Sequence, residues 1–132
     1  MDIKTTVIIT RDMLENVFVT AIEGGSNYWY FISGEAHDIV RGAVPKATDP
    51  CLSTALFAAV FDHGVIVPIN DVDEEGEEIG EFDKTKFAER LTALAEDNDY
   101  KSCLFDEINE QGDASTSDVV FQYLLFGEVV YG

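Results

Sequence analysis

Apolar residues recur at spacings of three and four near the start of the chain. Met13, Leu14, Val17, Phe18, Ala21 and Ile22 form one stripe, with Asp12, Glu15, Asn16 and Glu23 off it. That period predicts an amphipathic helix. Ahead of it, "DIKTTVII" is β-branched and reads as a strand, and Thr10 is placed to cap a helix that begins at Arg11. Gly24 or Gly25 then ends the helix, because a left-handed C-terminal residue suits glycine.

The aromatic and β-branched "NYWYFISGEAHDIV" predicts an extended segment over the first helix, with a further helical turn through Trp29 as the alternative. In "ATDPCLSTALFAAVFDHG", Asp49 is a cap, Pro50 fits the first helical position and Gly64 is the stop. The enclosed helix is apolar nearly all round and is expected at the centre of the fold. "VIVPI" is a short strand whose Pro68 argues for an edge position or a bulge. A further strand ends near Phe82, and Asp83 caps a helix with Phe87, Leu91, Leu94 and Ala95 inward. Two more helices follow, one with Tyr100, Leu104, Phe105 and Ile108, the other from Ser115 to Phe126 with Gly127 as its stop. The sum is an α+β fold: one compact domain over residues 1–132, four or five helices and a small antiparallel or mixed sheet.

Composition agrees with a single core, since 46% of the 132 residues are hydrophobic and 11% aromatic. The apolar stretch from Ala55 to Phe61 is too short to cross a bilayer, and "MDIKTTVIIT" lacks the basic region and apolar core of a leader. A soluble protein of the cytoplasm is expected. Cys51 and Cys103 show no CxxC spacing and read as buried free thiols.

Charge changes the picture most. Twenty-six acids against eight bases give a net charge of −18. Between Asp71 and Asp118 there are seventeen acids and four bases, a local net of −13, and eight of those acids fall in "DVDEEGEEIGEFD". Such a surface repels nucleic acid and anionic lipid and attracts basic protein surfaces. The expected partner-binding residues are Asp71, Asp73, Glu74, Glu75, Glu77, Glu78 and Glu81, with Glu96, Asp97 and Asp99 as a second patch.

Candidate chemistry is sparse. "DVDEEGEEIGEF" imitates a calcium loop with Asp71, Asp73 and Glu75 at positions one, three and five and Gly76 at six, but position nine is Ile79 and position twelve is Phe82 where a bidentate glutamate belongs. His37 and His63 are the sole imidazoles, and His63 suits a helix C-terminus. Neither lies near a nucleophile motif. In "EGGSNYWY" the glycines follow a helix, whereas a phosphate cradle precedes one, and no lysine comes after them. Tyr28, Trp29, Tyr30 and Phe31 could stack bases only beside a positive groove, and Arg41 and Lys46 are the nearest bases. No catalytic residue, cofactor or metal is expected.

Two stretches, "TAIEGGSNYWY" and "FQYLLFGEVVYG", together resemble a family of small proteins of phages, prophages and plasmids with an "ALEGG.NYW"-like joint and a "QYALFGE.V.G"-like tail. The resemblance covers about a sixth of the chain and implies a context, a mobile-element accessory protein, and no catalytic residue. From the residues themselves, Gly24 and Gly25 are expected to let the chain reverse so that Tyr28 and Trp29 lie against Leu14, Phe18 and the last helix with Tyr123, Leu124 and Phe126.

Three functions follow. The first is an inhibitor that occupies the basic nucleic-acid channel of a host defence protein, as a DNA mimic of the anti-CRISPR or anti-restriction kind. Eighteen charges match about 30 Å of B-DNA axis at one charge per ~1.7 Å, and a domain of this length has a radius of gyration near ~14 Å. The second is a small-molecule binder such as a sponge for nucleotide signals, which needs a positive pocket from Arg11, Arg41, Lys46 or Arg90. The third is a small carboxylate-based hydrolase, for which no motif is present.

Overall fold

The structure, a computed structural model, describes residues 8–44, 52–73 and 77–132. Helix α1 spans Arg11–Thr20, and the Thr10 hydroxyl accepts from the Met13 N–H at 3.3 Å. Its inward stripe is Leu14, Val17 and Phe18. Of the strand expected before it, only Ile8 and Ile9 are described, and they lie in no strand.

The end of α1 differs from the expected left-handed glycine. The helix widens into a π-turn over Ala21–Gly25, closed by the Ser26 N–H on the Ala21 carbonyl at 2.8 Å. Gly24 has an extended φ of 168°. Gly25 is required by proximity, because a Cβ there would sit 2.7 Å from the Ala114 carbonyl oxygen.

The expected extended segment is mostly a helix. Only Tyr30–Phe31 forms a strand, β1, and α2 spans Gly34–Ala43 with the Ser33 hydroxyl accepting from the Ala36 N–H at 3.1 Å. Ala36, Ile39, Val40 and Ala43 carry the helical spacing that the aromatic run before them obscures.

Helix α3, Leu52–Phe57, continues as a π-turn over Ala58–Asp62 to Gly64, whose φ of 68° does suit glycine. Asp49, Pro50 and Cys51 lie outside the described residues. Strands β2 (Val67–Asp71) and β3 (Glu78–Phe82) complete an antiparallel sheet in the order β1-β2-β3. Pro68 thus stands in the middle strand. β1 covers only Asn70 and Asp71, so β2 is locally an edge at Pro68, and its register with β3 shifts between Ile69 and Asn70.

A 3₁₀ turn over Lys84–Lys86, capped by Asp83, leads into α4 (Phe87–Ala95), then α5 (Lys101–Ile108) and α6 (Ala114–Phe126). A capping box between Asp113 and Thr116 opens α6, and Gly127 at φ 77° closes it. Six α-helices are therefore described, more than the four or five expected.

The core centres on Phe18, fully buried, whose ring centroid lies 5.2 Å from Phe57, 5.0 Å from Phe82, 5.3 Å from Phe121 and 6.3 Å from Phe87. One side chain of α1 thereby joins α3, β3, α4 and α6. The central helix is α6 and not α3: every residue from Val120 to Leu125 is buried, and it packs on α1, α4, α5 and β3. Gly80 of β3 admits it closely, since a Cβ there would lie 3.0 Å from Leu125 Cγ.

Candidate functional site

The π-turn aims the joint at α6, and what it meets there is polar. Asp118 is 7% exposed and its carboxylate accepts four hydrogen bonds. Ser26 Oγ at 2.7 Å and Trp29 Nε1 at 2.9 Å donate to Oδ1, and Tyr28 Oη at 2.5 Å and Gln122 Nε2 at 3.2 Å donate to Oδ2. A buried carboxylate without a base is costly unless its lone pairs are filled, and here both oxygens are doubly engaged.

One helical turn on, Gln122 extends the network to the chain's last residues. Its Oε1 accepts from the N–H groups of Val130 and Tyr131, both at 2.9 Å, and its Nε2 donates to the Tyr131 carbonyl at 3.0 Å. Tyr131 then stacks on Trp29 with centroids 5.0 Å apart and planes 8° from parallel. Trp29 also meets Phe126 at 5.5 Å and Phe121 at 6.0 Å. The joint and the tail do meet in one core, as the sequence predicted, but among the described residues Trp29 meets the rings of Phe121, Phe126 and Tyr131 and not those expected at Phe18 and Tyr123. Desolvation and the bond to Asp118 push the Tyr28 hydroxyl up to about 12, and burial pushes Tyr30 up to about 12.

Chemically this site is saturated. Every donor named has its acceptor, and the network ties the joint to α6 and to the tail. Of the four aromatics, Trp29 and Tyr30 are 2% and 6% exposed and belong to the core, whereas Tyr28 and Phe31 are 51% and 43% exposed. Sequence reasoning missed Asp118 and Gln122 as a pair. The available signal was two polar residues four apart, on one face of the otherwise apolar run "DVVFQYLLF".

The expected partner-binding acids divide. Asp71 ends β2, where its carboxylate accepts from Tyr131 Oη at 3.2 Å and from the Asp73 N–H at 2.7 Å. Asp97 accepts from Tyr123 Oη and from the Asp99 N–H at 2.8 Å, and these bonds hold its carboxyl below the usual range. Both therefore bear on the fold. Asp73, Glu77, Glu78, Glu96 and Asp99 are exposed, and Glu81 is half-buried on β3. Glu74 and Glu75 lie outside the described residues, as does Gly76. The described ends of the calcium-like stretch lie at the end of β2 and in β3, with Phe82 fully buried at the position where a ligand would stand.

The bases are engaged elsewhere. Arg11 binds Asp62 at 2.5 Å and Glu15 at 3.0 Å, and Arg41 stands 3.8 Å from Asp38. Arg90 donates to the Leu124 carbonyl at the end of α6, and Lys84 to the Phe61 carbonyl at 2.8 Å. Two cations thus sit at carbonyl ends of helical segments, where the backbone dipole favours them. Of the bases named for a phosphorylated ligand, Arg11 and Arg90 are committed, Arg41 is largely exposed beside Asp38, and Lys46 lies outside the described residues. Cys103 is half-buried, and burial pushes its thiol up. No helix among the described residues is long and apolar enough to cross a membrane.

No protein-family model, no curated protein and no solved structure matches the chain.

Proposed function

We propose that this chain is a mobile-element-encoded acidic binding protein, an inhibitor that covers the basic surface on which a host defence protein holds nucleic acid. The observation that supports this reading is the uncompensated charge. Ion pairs among the described residues engage only Glu15, Asp38 and Asp62, while Lys84 and Arg90 are given to helix carbonyls. The excess of acids over bases therefore stays at the surface as field. Asp73, Glu77 and Glu78 on the hairpin and Glu96 and Asp99 after α4 are its exposed members in the two patches read from the sequence.

The test is a pull-down from a bacterial lysate with the purified chain as bait, at low and at moderate salt, followed by mass spectrometry. A basic nucleic-acid enzyme retained at low salt and released as salt rises is expected. A variant with Glu77, Glu78, Glu96 and Asp99 changed to their amides should retain less of it and show a flatter salt dependence. Retention of no such protein, or retention indifferent to salt and to the four changes, would overturn the reading.

A further inference from the structure

Away from the joint, α1, α4 and α5 and the π-turn after α3 enclose an open groove of about 780 Å³. Its deep positions are Leu14, Phe87, Leu91 and Leu104, each at most 7% exposed. Phe105 stands on its wall at 37% exposure. Helix α4 contributes Ala88, Thr92 and Ala95, three positions of one face whose short side chains leave the trough wide. The lining is thus predominantly apolar and concave, and its volume is in the range of ligand sites.

The electrostatic setting narrows the occupant. Glu96 lines the groove, and Glu89 lies seven residues earlier on α4, two turns along the same ridge. Arg11, at the start of α1, is not in the lining and is outnumbered by the two acids it binds. Lys84 is in the lining, but its ammonium is tied to the Phe61 carbonyl and lies 4.5 Å over the Phe61 ring. An anionic amphiphile would approach a molecule of net charge −18 and find no uncommitted cation at the described mouth. A cationic amphiphile finds apolar depth with the Glu96 carboxylate in the lining and Glu89 exposed on the same helix.

We propose that this groove is a docking site for a basic amphipathic helix of a protein partner, its apolar side chains between α4 and α5 and its lysines or arginines against Glu89 and Glu96. The proposal deepens the reading above by naming the partner's binding segment, and it rests on that reading only for the partner being a protein.

The test uses the full chain and a fluorescein-labelled leucine–lysine amphipathic peptide of about five turns, with a leucine–glutamate peptide as control, followed by fluorescence anisotropy. The lysine peptide should bind and the glutamate peptide should not. Phe105→Ala and Ala88→Trp, both at exposed positions, should each weaken binding about tenfold, whereas Glu77→Gln with Glu78→Gln should change it less than about twofold. Circular dichroism melts confirm that each variant is folded. Equal weakening by all variants, or a larger loss from the hairpin pair, would overturn the proposal in favour of plain charge adherence. Self-association of the full chain in sedimentation, abolished by Phe105→Ala, would overturn it in favour of a second copy. Because the peptide assay needs no lysate, a failed pull-down and a failed groove are separate results.

Discussion

Asp118 and the pair Glu77–Glu78 carry the same functional group in opposite settings. Asp118 lies inside, with Ser26, Tyr28, Trp29 and Gln122 filling its lone pairs. The two glutamates lie outside, on the hairpin, with water as their environment. The buried carboxylate ties residues of α6 to a joint some ninety positions earlier, and its charge is hidden from any partner. The exposed ones contribute nothing to packing and everything to the field. A carboxylate's role in this chain is set by what donates to it.

Removing the inner acceptor should have the largest effect. Asp118→Ala leaves the Ser26 hydroxyl and the Trp29 indole N–H without their acceptor at once, while the Gln122 amide keeps the Tyr131 carbonyl. Two buried donors left unsatisfied at about 1–3 kcal/mol each give an expected loss of about 2–6 kcal/mol, measured by urea unfolding. A loss below about 1 kcal/mol would show that water or a rearranged Gln122 replaces the carboxylate.

Next comes the approach that makes the network possible. Gly25→Ala forces a methyl against the Ala114 carbonyl and should cost about 1–3 kcal/mol. Gly24→Ala meets nothing within 4 Å and should cost less.

Smaller still is the alkaline response. Tyr28 and Tyr30 hold their protons up to about 12 in the fold, against 10.0 for a free phenol. Because the folded values are raised, this stabilisation is complete below about pH 10 and is lost as pH rises towards about 12. The melting temperature should fall across that window, and Tyr28→Phe should shrink the fall; an unchanged slope would remove Tyr28 from the account.

The outer carboxylates should matter least to folding. Amides at Glu77, Glu78, Glu96 and Asp99 should shift stability by within about 0.5 kcal/mol, with any gain largest at low salt, where relief of self-repulsion is unscreened. A loss of several kcal/mol would mean that these residues do hold structure, and the contrast with Asp118 would fail.

Much of the architecture is legible in the chain because local signals agree with the global fold. Thr10, Asp83 and Gly127 end or begin elements where capping chemistry says they should, and the stripe of α1 faces inward as its period requires. Helix α2 was obscured because Tyr28 to Ile32 carry strand propensity up to its cap, and Ser33 is a weaker signal than four aromatics. The rank of α6 was hidden for a different reason. Asp118 and Gln122 look like a polar face, and only their three-dimensional partners show that face to be interior. Likewise Asp71 and Asp97 look like their neighbours in an acid-rich segment, yet tyrosines from residues 123 and 131 claim them. Partners so distant leave no local trace.

The Asp118 network also bears on how the chain folds. Its donors at Ser26, Tyr28 and Trp29 are 92, 90 and 89 residues from their acceptor. Closing a loop of that size costs chain entropy that grows as the logarithm of its length, about 4 kcal/mol beyond the constant term. That cost falls due before the four hydrogen bonds and the Trp29–Tyr131 stack repay it. A mostly helical domain would ordinarily fold fast on local contacts, but the Asp118 network adds a non-local contact that those do not supply. During synthesis the joint therefore emerges long before its acceptor does, and its polar side chains gain that partner only once α6 is made.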